Sequence, residues 1–494
     1  MCLKPLVIAL ALVAGANAAG MAAASPSHAI PVAGTSVSRP DGSILWVVEN
    51  CNDAGPGSLR YAAQHANHGD GIDLSSLSCS TISVTSGAIN LRDVELMGPG
   101  ADQLTIEGTD NQFKRIFNHN GNGGTLTIHD VTIRGAKYQS NAGQGGGCLR
   151  SVGANLDIRD AVFDTCIAFA PSGSNVSVRG GAIAAYGNDV HLARVTLSNN
   201  QASTAAGVAL GGALYVGGDK LLLARSTISN NAATSSDPSA VVLGGGVFAH
   251  GEAMIAGSTI DGNVSEGRGG GAVIEGHGSL MFSTVSNNAS VGGGSGIAFL
   301  GTRGLNDSAA YIFASTISGN EAQASTISDN GALYVNTAFT SILASTIAGN
   351  VEYNTPGVGF GAGILFGPSA WTSSSPTMVS TIVHGNHIRD STHGADIAGP
   401  LGSHVIGDHN LVGLSYVYLP ADTIRSSDPL LGPLQDNGGP TWTHMPAANS
   451  PVVDHGNAQG QVFDQREYPR VSGVAADIGA VEVQRDVIFT DGFD

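Results

Sequence analysis

Few residues of this 494-residue chain have types and spacing suited to catalysis. Hydrolysis of a glycosidic bond needs two or three carboxylates roughly 5–10 Å apart. Elimination needs carboxylates that converge on calcium, with an Arg or Lys to take a proton. The acidic residues in the middle of the chain, Asp261, Glu266, Glu275, Asp307, Glu321 and Asp329, are sparse and do not share one exposed row. Gly276-His277-Gly278 sets an imidazole between two glycines, and His250 lies one repeat earlier. Both histidines read as turn residues. Asp436-Asn437-Gly438-Gly439-Pro440 is turn chemistry first. Asp454, Asp464, Arg466 and Asp477 are expected to hydrogen-bond around it. No Ser-His-Asp, Cys-His or phosphate-cradling arrangement stands out, so no catalytic, cofactor or metal-ligating residue is assigned.

The elements that must position any such group repeat down the chain. A strand of the form Ser-Thr-Ile closing on Asn appears at Val195 to Asn200, Ser226 to Asn231, Ser258 to Asn263 and Ser283 to Asn288. It returns at Ser315 to Asn320, Ser345 to Asn350 and Ser380 to Asn386, so the closing Asn residues are 31, 32, 25, 32, 30 and 36 apart. That period marks a solenoid. A Gly-rich strand precedes each copy, as in Gly180-Gly181-Ala182-Ile183 and Gly211-Gly212-Ala213-Leu214. The fold expected is all-β: a right-handed parallel β-helix with a short N-terminal capping helix and a small C-terminal module. Each coil should hold two or three strands, stacked about 4.8 Å apart.

Alternation then assigns faces. The inward rows are expected to be Ile183/Leu214/Val247/Val273/Ile297/Leu333/Ile364 and Leu197/Ile228/Ile260/Val285/Ile317/Ile347/Ile382. Placing Ile228 inside also buries Ser226, Ala224 and Leu222, and turns Arg225 and Thr227 to water. Asn200 through Asn386 should form a ladder whose amides satisfy one another and the turn backbone. One row points to binding. Ala184, Tyr215, Phe248, Ile274, Ala298, Tyr334 and Leu365 would face outward as an apolar, partly aromatic stripe. Tyr215, Phe248 and Tyr334 are its candidate ligand-binding residues; the alternative is that edge insertions or the C-terminal segment cover the stripe. The insertions run from Gln201 to Leu210, Ala232 to Leu243, Gly301 to Ser308 and Gly367 to Pro376. Ser325 to Asn330 reads as a partial repeat.

Composition narrows the class. Charged residues are 12%, Gly is 70 of 494, and net charge is -18 with no Lys/Arg cluster. This is neither a helical bundle nor a disordered chain, and a nucleic-acid partner is not expected. Lys4, the apolar run Leu6 to Val13 and Ala16-Asn17-Ala18 have the layout of a secretory signal peptide, with no transmembrane span in the mature chain. Export favours disulfides among the four remaining cysteines. Cys51–Cys79 is expected as a bridge, while Cys148–Cys166 is either a bridge or a buried thiol pair. Ser58 is a fair N-cap for a short helix burying Leu59, Ala62, Ala63 and Ala66. The expected divisions are 1–24 for the signal peptide and the start of a linker, 25–44 the linker, 45–100 the N-terminal cap and first coils, 101–415 the repeats, 416–485 the C-terminal module and 486–494 a tail.

Asn50-Cys51-Asn52-Asp53, Gly57-Ser58-Leu59-Arg60, Gly69 to Leu74 and Cys79 to Ile82 resemble the "CSLREA"-type cap of bacterial β-helix proteins. Ser427 to Thr441, Ser450 to Asp454, Asp464-Gln465-Arg466 and Ala476 to Glu482 resemble the choice-of-anchor Q domain of exported bacterial right-handed β-helix proteins, so the 416–485 module is expected to be of the choice-of-anchor Q kind. The paired Gly-Gly-Ala-Ile/Leu and Leu/Ile-x-x-Asn motifs are similar to the repeats of polymorphic outer membrane proteins, which are adhesins. Those adhesins end in a membrane β-barrel that about 80 residues are too short to make. Val487 to Asp494 resembles a short acidic-aromatic tail of secreted proteobacterial proteins. Gly276-His277-Gly278 is similar to the Gly-His-Gly of polygalacturonases but lacks their Asn-Thr-Asp and Asp-Asp partners. These resemblances imply a secreted or outer-surface protein for adhesion or for binding a polysaccharide or host-cell ligand, without cofactor. The rival expectation is a polysaccharide lyase or glycoside hydrolase of the pectate-lyase or polygalacturonase kind, acting on acidic polysaccharide.

Overall fold

A computed structural model describes residues 36–109, 114–187, 189–302, 307–323, 331–353, 361–371, 373–389, 395–425 and 427–484. The stretches read as a signal peptide, as the partial repeat Ser325 to Asn330 and as a tail lie outside the described residues.

The expectation of a parallel β-helix holds: coils stack into a β-solenoid of about 10 turns. Named strands pair in parallel except for two antiparallel pairs, Ser36–Ser38 with Ile44–Val47 and Leu431–Gln435 with Thr443–Pro446. Coils carry more strands than the two or three expected. In one coil, Leu214–Val216 and Lys220–Ala224 are followed by Thr227–Ser229 and then Ala232–Ser235. The last of these, which directly follows Asn231, belongs to a nine-stranded sheet. Two of the four stretches read as insertions, Gln201 to Leu210 and Ala232 to Leu243, therefore begin as strands, because these pair with each other one coil apart. Parallel pairing continues as far as Ile424–Arg425.

Left-handed residues set the corners. Arg194, Arg225, Phe282, Ala314, Ala344 and Ser380 all have φ between 43° and 56° and precede the inward Ser, Val or Thr of the next strand. Such a residue resets the two-residue alternation, which overturns one expectation. Leu221 and Leu223 are buried, while Leu222 and Ala224 are only half-buried; Ser226 and Ile228 are buried as expected. The second corner uses residues that tolerate positive φ: Asn199, Asn230 and Asn287, or Gly262, Gly319, Gly349 and Gly385.

Two inward rows slip by one residue. Val247 pairs with Ala272, so Val273 joins the outward row beside Phe248, and Ile274 lies in the core. The triple glycine Gly269-Gly270-Gly271 stacks on Gly244-Gly245-Gly246, which sets that register. Likewise Ile347 pairs with Val383 and not Ile382. Six residues separate Ser380 from Asn386, against five in the coil before, so Thr381 takes the inward serine place. Thr227 faces water, as expected, but Thr284, Thr316 and Thr346 are buried under the C-terminal module.

Helix Leu59–His65 forms with Ser58 as N-cap, accepting from the Tyr61 amide, and buries Leu59, Ala62 and Ala63 against the first coils. Cys51–Cys79 and Cys148–Cys166 both lie at disulfide distance, with Cα separations of 6.5 and 5.5 Å. No helix among the described residues is long and apolar enough to cross a membrane.

Candidate functional site

The repeated Asn residues are frame. Asn200 Nδ2 donates to Asn231 Oδ1 at 3.0 Å, and the same step recurs at 2.7–2.9 Å through Asn263, Asn288, Asn320, Asn350 and Asn386. Each amide also donates to a strand carbonyl, such as Ile228 O for Asn263, and accepts a backbone N–H from the preceding coil. All are buried, and fully satisfied buried amides leave no valence for a ligand. A second ladder follows the inward serines: Ser226 N donates to Ser258 Oγ at 3.0 Å and Ser258 N to Ser283 Oγ at 3.1 Å.

The candidate stripe exists as a row, but it is covered. Ala184, Tyr215, Phe248, Val273, Ala298, Tyr334 and Leu365 are register neighbours. Phe248 is 5% and Tyr334 4% exposed, and both belong to a satellite cluster with Val273 and Ala298. Leu210 and Leu243 pack onto it; they come from Val208–Leu210 and Val241–Leu243, strands of a small three-stranded sheet built from the edge insertions. Tyr215 is half-buried, stacked on Phe248 with ring centroids 5.7 Å apart. The covered alternative is what the structure contains, so Phe248 and Tyr334 are packing residues.

The catalytic candidates stay dispersed. His250 and His277 lie inside the long strands Val247–Ala256 and Ala272–Met281, not in turns, because these coils bend at Gly251 and Gly276 without breaking the ladder. They are not equivalent: His250 pairs with Glu275, and His277 with Glu252. Asp261 accepts from Ser286 and Asn287, and Glu266 from the Ser235 amide. Asp329 lies outside the described residues. Among those described, no three His, Cys, Asp or Glu side chains are grouped to hold a metal. Arg466 donates twice to Asp464 Oδ2, at 3.0 and 2.7 Å, and reaches the turn at Asn437 O at 3.4 Å, while Asp477 accepts the Asp454 amide at 2.7 Å away from that turn.

One arrangement was not legible. Ser151 Oγ lies 2.7 Å from His119 Nδ1, and His119 Nε2 lies 3.0 Å from Asp93 Oδ1. These are the distances of a nucleophilic triad. Asp93 also takes His68 Nδ1 at 2.8 Å and the amides of Asn122 and Gly124. Burial pushes the Asp93 carboxyl up, yet those hydrogen bonds together hold it below the usual range. Burial depresses His119 more than Asp93 raises it, which keeps the imidazole neutral at pH 7. Ser151 is 2% and His119 0% exposed, on the inward row with Leu91 and Ala185. No substrate reaches that hydroxyl, so the chain of bonds is core polarity satisfied internally.

The open surface is at the N-terminal end of the outward row. There Asn90, Asn118 and Arg150 occupy the places that Ala184, Tyr215 and Phe248 take further along. Two adjoining clefts, of about 320 and 420 Å3, share Ala88 and Asn90. Arg60, His68 and Arg92 line the first; Lys114, Arg115, Tyr138 and Arg150 line the second. No carboxylate lines either one among the described residues. Arg115 sits with its guanidinium carbon 3.9 Å above the Tyr138 ring. Lys114-Arg115 is the chain's one adjacent pair of basic residues, a sequence signal that would have marked this groove.

No family model, curated protein or solved structure matches the chain.

Proposed function

We propose that this protein is an exported, non-catalytic β-helix that binds a glycan or a cell-surface partner, with the ligand lying along the outer groove of its first coils. The observation that carries the reading is the change along one register row. The row is apolar and covered at Phe248 and Tyr334, but polar and open at Asn90, Asn118 and Arg150. A shallow cleft rich in amides and guanidinium groups suits a hydroxylated chain laid along it. The two cysteine pairs support an oxidising compartment outside the cytosol. A lyase or hydrolase on acidic polysaccharide is the rival, and among the described residues no carboxylate of the kind it needs lines this groove.

A glycan-array screen of the purified chain, read beside ultraviolet detection of unsaturated products from polyuronates, tests the reading. Binding without product is expected. Product release without retained binding would establish the enzyme instead.

A further inference from the structure

Several arginines elsewhere in this acidic chain pair with carboxylates, Arg60 with Asp53 at 2.7 Å, Arg134 with Glu107 at 3.2 Å, Arg159 with Asp157 at 3.1 Å and Arg194 with Asp160 at 2.6 Å, whereas Arg92 and Arg179 bond to neutral oxygens. The arginines of the second cleft are of the latter kind. Arg115 donates to the carbonyls of Gly146 and Gly145, at 3.2 and 3.0 Å, and to Asn118 Oδ1 at 3.3 Å. Arg150 donates to Asn118 Oδ1 and Asn120 Oδ1, each at 3.3 Å. Lys114 is exposed on the same cleft with no carboxylate partner among the described residues. Among the described residues, each of these acceptors of Arg115 and Arg150 is neutral.

The amides between them extend the pattern. Asn118 Oδ1 receives both guanidinium groups, and Asn118 Nδ2 donates to Asn90 Oδ1 at 3.1 Å. The side-chain oxygens of Asn118 and Asn90 are thereby engaged internally, while positive charge remains. Burial lowers the Arg115 proton affinity. A bound anion would offset that cost.

We propose that the cleft formed by Asn90, Lys114, Arg115, Asn118 and Arg150 binds the acidic groups of an anionic polysaccharide. This rests on the glycan-binding reading above and adds the charge of the ligand. Carboxylate and sulfate oxygens share the required chemistry. Nucleic acid is disfavoured because the described lining of the cleft has one aromatic ring, Tyr138, already stacked on Arg115, whereas single-strand binding uses successive stacking platforms.

The test titrates the full chain by calorimetry with an oligogalacturonate, a sulfated oligosaccharide and a neutral oligosaccharide of equal length. An acidic ligand should bind about tenfold tighter than the neutral one and weaken with added salt. Arg150→Gln should cost about tenfold for acidic ligands only. Lys114→Gln, an exposed change that the fold tolerates, should act in the same direction. The carboxylated and sulfated arms tell which anion is preferred. Equal binding of the neutral oligosaccharide overturns the inference and leaves glycan binding standing. Equal binding of poly-L-glutamate or single-stranded DNA also overturns it. No binding of any saccharide removes both.

Discussion

The hydroxyl of Thr316 donates to Oε1 of Gln465 at 2.6 Å, across 149 residues of chain. Through Nε2, the same amide donates to Thr284 Oγ1 at 2.9 Å and Ser283 O at 3.2 Å, so one side chain of the C-terminal module joins two coils. Ser318 to His444 Nε2 at 2.8 Å and the Ala480 amide to Thr346 Oγ1 at 3.1 Å extend the seam.

Gln465→Ala strands several buried polar groups at that seam and should destabilise the module by about 2–4 kcal/mol. Gln465→Glu should be at least as harmful, because a carboxylate cannot donate to Thr284. Urea unfolding followed by fluorescence, with Trp442 at the seam, reads both. A midpoint unchanged from wild type in Gln465→Ala would remove the seam from the stability of the module.

Asn263 makes four ladder bonds, two donated and two accepted. Asn263→Ala leaves their partners buried and unpaired, at a cost of about 3 kcal/mol or more. Substituting the exposed Asn230 with Gly, which suits its φ of 57°, should cost well under about 1 kcal/mol. Comparable losses in thermal unfolding for the two variants would contradict the ladder's role.

Glu482 is buried, accepting the amides of Ser472 and Asp477, each at 2.8 Å. Burial, more than any other influence, pushes its carboxyl up from 4.5 to about 7. A group raised in the folded state contributes stability below its unfolded pKa and loses it as pH rises through the folded value. Between pH 5 and 8, Glu482→Gln should therefore gain on wild type by about 3 kcal/mol. Denaturant midpoints of both proteins at several pH values measure the gap; a constant gap would show that Glu482 does not titrate there.

Ser151 should be inert despite its triad distances. A fluorophosphonate probe applied to the native protein should leave Ser151 unmodified, as read by mass spectrometry of its peptide. Labelling at Ser151 would mean that the core opens to solvent and that the catalytic reading must be reconsidered.

The architecture was legible because Ile, Ser and Asn recur at coil spacing and each has one physical role. Ile fills the core, Ser bonds the corner and Asn ties the turn. Face assignment was less legible. Period-two alternation holds within a strand but not across a left-handed corner, which is why Leu222 and Leu223 exchange roles around Arg225. The glycine triplet at Gly269 and the extra residue before Asn386 were visible signs of register, and they move Val273 and Ile382. The His119 relay was out of reach for another reason. Asp93, His119 and Ser151 lie 26 and 32 residues apart, and only stacking brings such residues together. Outward apolarity likewise could not say whether Phe248 would be wet, because its cover comes from a neighbouring insertion.

The Asn ladder has a direction. Every Nδ2 points its hydrogen to the next coil and every Oδ1 receives from the one before, ending where Asn386 donates to the Asp396 carboxylate at 2.8 Å. The amide dipoles therefore add head to tail, as peptide dipoles do in a helix, and a negative group closes the positive end. Turning one amide around would set two NH2 groups face to face on one side and two carbonyls on the other. Orientation is all or none along the stack. A coil can be gained or lost without breaking polarity only if it brings its own amide, which makes the ladder a rule for how this protein can change length.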